Sequence, residues 1–236
     1  MEPDAGQRLK VVLFGATGMV GQGVLRECLL SPGIESVLAV GRQGTGLSHP
    51  KLREIEHRDF TDFTPLGPRL TGIDACLYCL GITSVGKSES EYARVTRDYA
   101  LAAATVLVER NPGMTFVFVS GAGADSSEGP GPMWARVKGQ TENALRRLPF
   151  RAVHVLRPGV IQPQHGIRSR TRAYRLAYTL LGPLLPLLKR LFPGHLTTTG
   201  QVARAMIRLA ASGAPSRTLQ TRDINAWAEL ESSDAG

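Results

Sequence analysis

The stretch Lys10-Val-Val-Leu-Phe-Gly-Ala-Thr-Gly-Met-Val-Gly21 decides the fold of this chain. Its apolar run at 11–14 predicts a buried strand that ends at Gly15. Leu25 and Leu29 then recur at helical spacing, so a tight turn leads into a helix. The unpaired N–H groups at the start of such a helix bind phosphate. The stretch therefore predicts nucleotide binding, and the alternative is a strand–helix turn without a ligand.

The three glycines of this stretch have different expected roles. Gly15 would allow the turn, Gly18 would let a pyrophosphate approach the backbone, and Gly21 would let the helix pack tightly on the strand. The strand before them and the helix after them match what a dinucleotide-binding motif requires.

Composition indicates a soluble protein of one domain. The chain has 236 residues, of which 42% are hydrophobic and 20% charged. Residues 1–9 carry no secretory signal, and the three cysteines are an odd number, so we expect a reducing, cytoplasmic setting. Cys76 and Cys79 lie in a predicted strand, where their spacing sends them to opposite faces, and we interpret them as core thiols. We predict no metal site, because the histidines show no ligand spacing.

Positive charge is concentrated in the last third of the chain. The net charge is +8, and residues 143–222 contain no Asp or Glu but half of the 28 basic residues. This bias indicates an anionic partner, namely a phosphorylated cofactor or substrate or a membrane surface, or else a solvated basic face. Nucleic acid is not expected, because aromatic residues do not alternate with the basic ones.

Apolar strands alternate with helices along the chain. We predict strands at 11–14, 36–40, 52–56, 75–80, 115–119 and 152–156, and helices at 89–109, 133–148, 200–211 and 222–230. This order predicts an α/β fold, a three-layer Rossmann-like doubly wound parallel sheet. We expect a single domain over 1–236, with 161–199 as a small helical cap on the substrate side. Ligands of such sheets bind at the carboxyl ends of the strands, here at Gly15, Arg42, Gly81, Ser120 and Pro158-Gly159.

Arg42 carries information about the cofactor. An NAD site has an acid at the end of the second strand, where it accepts a hydrogen bond from the ribose 2′-hydroxyl. Here that place holds Gly41-Arg42 and no acid. A guanidinium suits a 2′-phosphate, so the sequence favours NADP over NAD, although NAD remains possible and a plain surface arginine is the alternative.

The chain resembles the short-chain dehydrogenase/reductase superfamily in its atypical, epimerase/dehydratase-like branch, and within it the Tat-interacting-protein oxidoreductases. The resemblance runs over about residues 8–210. Its motifs are Gly15-Ala-Thr-Gly18-Met-Val-Gly21, Cys79-Leu-Gly81-Ile-Thr83, Arg97-Asp98-Tyr99, Ser120 with Gly123-Ala-Asp125, Val137-Lys138-Gly139 and Arg157-Pro158-Gly159-Val160.

The resemblance implies a cofactor site. Asp59 and Phe60 would flank the adenine, Gly81 would lie against the cofactor, and Pro158 and Val160 would line the nicotinamide side. The cofactor-binding residues implied in this way, together with those of the glycine turn and Arg42, are Gly15, Thr17, Gly18, Met19, Val20, Gly21, Arg42, Asp59, Phe60, Leu80, Gly81, Lys138, Pro158 and Val160.

The resemblance also implies catalytic residues, and here the chain departs from the pattern. Ser120 would orient a substrate carbonyl, and Lys138 would bind the nicotinamide ribose and lower the pKa of a tyrosine one helical turn before it. That position holds Trp134, whose indole is only a donor and cannot exchange a proton near neutral pH. Trp134 could fill the same space and stack on a substrate or nicotinamide.

Three interpretations remain open. Another tyrosine, such as Tyr92 or Tyr99, or a water held by Ser120 could supply the proton. Hydride transfer could also proceed slowly without a dedicated acid. Alternatively, the protein binds the dinucleotide without redox chemistry and acts as a sensor or interaction protein.

The segment after Val160 is expected to shape a substrate pocket. Residues 166–175 are basic, and 176–192 are mostly apolar but interrupted by Gly182, Pro183 and Pro186, too short a run for a spanning helix. We expect short helices that cap the site, with peripheral membrane contact as the alternative. The expected protein is an NADP(H)-binding oxidoreductase of an unknown, apolar or anionic small-molecule substrate, monomeric or homodimeric.

Overall fold

The computed structural model describes residues 8–127, 129–167 and 194–230. Seven parallel strands form one sheet in the order β3-β2-β1-β4-β5-β6-β9. Its strands are β1 (Leu9–Phe14), β2 (Ile34–Gly41), β3 (Leu52–Glu56), β4 (Ala75–Tyr78), β5 (Thr115–Val119), β6 (Ala152–Arg157) and β9 (Thr218–Gln220). The strand order reverses between β1 and β4, and ligands of such sheets bind at the carboxyl ends of the strands at this point.

Helices cover both faces of this sheet. The helices are α1 (Met19–Leu30), α2 (Glu89–Ala93), α3 (Tyr99–Arg110), α4 (Met133–Arg146), α5 (Thr199–Ala211) and α6 (Thr221–Glu229), with a 3-10 turn at Thr64–Arg69. One core contains residues of α1, α5 and α6, and the other contains residues of α3, α4 and the 3-10 turn. The predicted three-layer α/β fold is therefore confirmed.

The two cysteines at β4 lie on opposite faces of the sheet. Cys76 lies in the core beneath α3, whereas Cys79 packs against the core beneath α1 and α5. The prediction that these thiols face opposite ways is confirmed, because side chains alternate across a strand.

The long helix predicted at 89–109 is interrupted by a π turn at Arg94–Asp98, which joins α2 to α3. The fully buried face of α3 is made of small residues and one leucine, Ala100, Ala103, Ala104 and Leu107. Val95, Tyr99, Ala102 and Val106 are only partly buried. The wider turn changes the helical phase, which a constant period of 3.6 residues cannot anticipate.

Three short strands near the carboxyl end escaped prediction. β7 (Val160–Gln162) and β8 (Leu196–Thr198) form a separate two-stranded parallel sheet, and β9 extends the main sheet next to β6. Each has three residues, too few to show alternation. Most of the segment that we predicted as a helical cap or membrane contact, 168–193, lies outside the described residues. Within the described part, no helix has the length and apolar character needed to cross a membrane.

Candidate functional site

The glycine turn lies at the carboxyl end of β1, as predicted. Gly15 has a φ of +82°, and a Cβ placed on it would lie 2.7 Å from the backbone nitrogen of Leu80. A Cβ on Gly21 would lie 2.0 Å from the carbonyl oxygen of Gly15. Only glycine fits these two positions, because the turn, the first turn of α1 and the end of β4 are packed backbone to backbone.

The start of α1 is open to an anion. Its N-cap is Gly18, which has no side chain to cap the helix, and the first turn contains no acidic residue. The Gly18 N–H donates to the Gly15 carbonyl at 2.9 Å, and the Gln22 side-chain amide donates to the Thr17 carbonyl at 3.0 Å. The N–H groups of Met19 and Val20 have no acceptor inside the helix, because they belong to its first turn. These amides and the positive helix end favour a phosphate.

Arg42 directly follows β2 and is exposed. Glu54 and Glu56 on the neighbouring β3 accept hydrogen bonds from the backbone N–H groups of Thr45 and Gly44, at 2.7 and 3.2 Å. Within the described ranges, no carboxylate forms an ion pair with Arg42. The guanidinium is thus available to an anionic ligand.

The two residues predicted to flank the adenine differ in exposure. Asp59 is exposed, and hydrogen bonds from the Thr61 side chain and backbone lower the pKa of its carboxyl group. Phe60 is only 3% exposed and packs edge-on against Phe63, with ring centroids 5.3 Å apart. Its side chain belongs to the core and is not exposed to an adenine. Gly81 is exposed, with open space where a Cβ would be.

Ser120 follows β5 and takes part in a buried polar network. Its hydroxyl donates to Oε1 of Glu142 at 2.6 Å, and Ser126 donates to Oε2 at 2.9 Å. The Arg157 guanidinium donates to both Glu142 oxygens, at 3.0 and 2.5 Å, and also to the Ser126 hydroxyl. Glu142 is fully buried, so these four side chains neutralise and satisfy one another.

The roles of Glu142 and Ser126 in this network were not predicted from the sequence. The only available signal was the position of Glu142, one helical turn after Lys138. Its partners come from the ends of β5 and β6, which the fold alone brings beside α4. Because the Ser120 proton points to Glu142, Ser120 can accept a hydrogen bond from a ligand in this arrangement but does not donate one.

Lys138 and Trp134 lie on adjacent turns of α4. The Lys138 amine lies 6.0 Å from the ring centroid of Phe118 on β5. A Cβ placed on Gly121 would lie 3.5 Å from Cε of Lys138, so the side chain runs along the carboxyl end of β5. A Cβ on Gly123 would lie 3.0 Å from the Trp134 ring, which therefore covers the loop after β5.

The end of β6 completes this edge. Pro158 is buried, and its carbonyl accepts a hydrogen bond from the Ala122 N–H at 2.8 Å. Val160 is 47% exposed. The backbone therefore joins the loops after β5 and β6, which carry Ser120 and the predicted nicotinamide-side residues. Among the described residues, no group of three or more His, Cys, Asp or Glu could hold a metal ion.

Comparison with known proteins found relatives and structural neighbours. The chain is 29% identical to Protein HTATIP2 of Rattus norvegicus over 157 residues, which are 66% of this chain and 64% of the rat protein. It thus matches less than two thirds of that relative. It is 27% identical over 227 residues to Protein fmp52-2, mitochondrial, of Aspergillus oryzae, covering 90% of this chain and 93% of the fungal protein. No family model matches the chain.

Solved structures agree on the fold. An oxidoreductase of the short-chain dehydrogenase/reductase family from Burkholderia thailandensis superposes with a TM-score of 0.65 at 17% identity, covering 91% of this chain and 92% of that one. The Bordetella bronchiseptica enzyme WbmH, solved with NAD+, superposes with a TM-score of 0.60 at 19% identity, covering 90% and 75%.

The fold is that of a Rossmann protein, and the chain resembles the atypical short-chain dehydrogenase/reductases. Among the curated proteins it is similar to both HTATIP2 and the FMP52 proteins. The resemblance that the motifs indicated is confirmed.

Proposed function

We propose that the protein binds NADP(H) and acts as a reductase or dehydrogenase on a small-molecule substrate. The observation that carries the proposal is the open N-terminus of α1. It follows the Gly15 turn at the switch in strand order and has neither a capping side chain nor an acid. The NAD+ in the structure of WbmH supports the same class of cofactor here.

The residues present fit a dinucleotide. No side chain at Gly15, Gly18 or Gly21 covers the backbone N–H groups at the start of α1, so these groups are available to a phosphate. Gly81 adds open space at the neighbouring strand end. Lys138 carries an amine suited to ribose hydroxyls. When bound, the cofactor would supply or accept a hydride, while these residues hold it and exclude water.

We assign the 2′-phosphate to Arg42. Replacing Arg42 by alanine should weaken NADPH binding roughly 10- to 100-fold, the effect of losing one or two charge-assisted hydrogen bonds. Binding of NADH should change less than about threefold, because NADH lacks that phosphate. Arg42→Asp should weaken NADPH further by repulsion. Isothermal titration calorimetry measures the dissociation constants of NADPH and NADH for the unaltered protein and for both variants.

Arg53→Ala is the matched control, since Arg53 is also exposed and lies on the neighbouring strand β3. It should leave both affinities unchanged. Equal weakening of NADPH and NADH by Arg42→Ala would remove the 2′-phosphate assignment. Absence of binding of either cofactor to the unaltered protein would remove the proposed function.

A second candidate function is dinucleotide binding without redox chemistry. Two observations favour it: Trp134 occupies the place of the tyrosine, and the Ser120 proton is committed to Glu142. Trp134→Tyr distinguishes the two functions in an assay of NADPH oxidation with an aromatic dicarbonyl. A gain from no detectable turnover to clear turnover would mean that the native site only binds. Measurable turnover by the unaltered protein would exclude the binding-only function.

A further inference from the structure

The proposed oxidoreductase needs a group that exchanges a proton, and Trp134 does not provide one. The Trp134 ring covers Gly123 and packs in a small cluster with Met133, Tyr92 and Val137. Its indole nitrogen only donates and keeps its proton near neutral pH. The usual position of the acid is therefore filled by a side chain with a packing role.

The alternative hydroxyl groups are held elsewhere. Ser120 is 7% exposed and donates its proton to Glu142. Tyr92 is 2% exposed, beneath Trp134 and Val137. Tyr99 packs on Phe60, with ring centroids 5.7 Å apart. None of these hydroxyl groups offers a proton to a ligand at the ends of β5 and β6.

Lys138 is the ionisable group that reaches this edge. It is half-buried, and its stem lies against Gly121 and Phe118. Within the described ranges, no hydrogen bond or ion pair occupies its amine. The acid one turn further along the helix, Glu142, is already held by Ser120 and Arg157. The amine is thus free to engage a ligand.

The surroundings of Lys138 also suit proton exchange. Burial lowers the pKa of the amine to about 8, against an opposing effect of Glu142. The other charged or titratable groups near it are bound to neighbours: Arg157 of β6 to Glu142, and Arg97 of the π turn to Asp98 and Gln140. Tyr92 of α2 is enclosed. An amine in this range is largely protonated at neutral pH and gives up its proton readily.

We propose that Lys138 itself is the proton-transfer residue of this site, replacing the missing tyrosine. This inference rests on the proposed oxidoreductase function. In the direction of reduction, an N–H bond of the Lys138 ammonium breaks, and its proton bonds to the oxygen of a bound carbonyl. A reduced nicotinamide dinucleotide supplies the hydride for the carbonyl carbon. The products are the alcohol, the oxidised cofactor and a neutral lysine, which water reprotonates.

The first test needs no cofactor. The Cε resonances of the five lysines are followed by NMR between pH 6 and 11, and Lys138 is assigned by its loss in Lys138→Arg. We expect Lys138 to titrate near 8, well below the ordinary lysine value of about 10.4. Lys87→Arg is the control. Lys87 is exposed and forms a salt bridge, so the resonance lost in this variant should be one that does not titrate near 8. Titration of Lys138 together with the other lysines would overturn the inference.

The second test measures NADPH binding and turnover with phenanthrenequinone. The reduction rate should fall as the pH rises through about 8, because Lys138 must carry its proton. Lys138→Arg keeps a cation that can bind ribose but releases no proton near neutral pH. We expect its NADPH affinity to stay within about threefold and its rate to fall at least about 100-fold, as for the loss of a general acid. Lys87→Arg should keep the wild-type rate.

The outcomes separate the inference from the function on which it rests. Failure of the unaltered protein to bind NADPH or to reduce the quinone would remove both. Turnover by the unaltered protein that Lys138→Arg retains, or that shows no change near pH 8, would remove Lys138 as the acid and leave the oxidoreductase standing.

Discussion

At Gly21 the backbone leaves no room for even a methyl group. A Cβ there would lie 2.0 Å from the carbonyl oxygen of Gly15 and 2.6 Å from its carbon. Both obstructing atoms are backbone, so no side-chain rotation can relieve the contact. A single hydrogen at this position is therefore the condition for α1 to begin beside β1.

Gly21→Ala should destabilise the protein even though alanine is the better helix former. Intrinsic propensity favours alanine by about 1 kcal/mol, but displacement of the turn costs more, about 1–3 kcal/mol net. Chemical denaturation would measure the change in the free energy of unfolding. Gly33→Ala is the control, because its Cβ would meet only the Ser31 hydroxyl at 3.6 Å. Equal effects at both positions would contradict the steric argument.

At the scale of elements, a buried carboxylate connects α4 to the ends of two strands. Glu142 accepts hydrogen bonds from Ser120 at the end of β5 and from Arg157 at the end of β6. Removing one member of a buried pair costs more than the pair contributes, because the remaining charge loses its partner. The network thus positions α4, and with it Lys138 and Trp134, relative to both strands.

Glu142→Gln tests this connection. The amide keeps the shape of the side chain but leaves the Arg157 guanidinium without a counter-charge, and we expect a loss of about 3 kcal/mol in the free energy of unfolding. Glu89→Gln is the matched control, since Glu89 forms a salt bridge with Arg136 with its side chain 51% exposed. That change should cost less than about 1 kcal/mol. Comparable losses in the two variants would show that the buried network does not anchor the helix.

At the scale of the whole molecule, a buried histidine couples folding to pH. His154 on β6 is fully buried, and neither ring nitrogen has a hydrogen-bond partner among the described residues. Burial, with smaller effects of Arg217 and Arg151, lowers its pKa to about 4. The folded protein therefore holds this imidazole neutral. Burial and the two nearby arginines both disfavour its protonated form.

Stability should fall as the pH decreases from about 6.5 toward 4, because over this range the unfolded chain binds a proton at His154 that the folded chain does not. Between pH 6.5 and 5 the contribution of His154 is about 2 kcal/mol. Denaturation of the unaltered protein and of His154→Leu at several pH values measures the contribution of His154 to the pH dependence of the free energy of unfolding. The variant should lose that part of the pH dependence, whereas replacement of the exposed His195 by leucine should not. An unchanged slope in His154→Leu would refute the assignment.

Much of the molecule was predictable from local patterns. Apolar runs of four to six residues located β1, β4, β5 and β6, because these strands are buried on both faces along most of their length. The glycine spacing located the turn between β1 and α1, because Gly15 and Gly21 are required by contacts close by in the sequence and at the end of β4. The π turn and the three-residue strands β7, β8 and β9 have no such periodic signal.

The sequence by itself determined the parallel α/β fold, the glycine turn and the presence of Trp134 in place of a tyrosine. Only the tertiary structure decided what the side chains at the strand ends contact. It buried Phe60 in the core, directed the Ser120 proton to Glu142 and placed the Lys138 amine near the Phe118 ring, with no hydrogen bond or ion pair among the described residues. The reason is that periodicity reports burial within one element, whereas hydrogen bonds and desolvation depend on atoms that distant elements bring together.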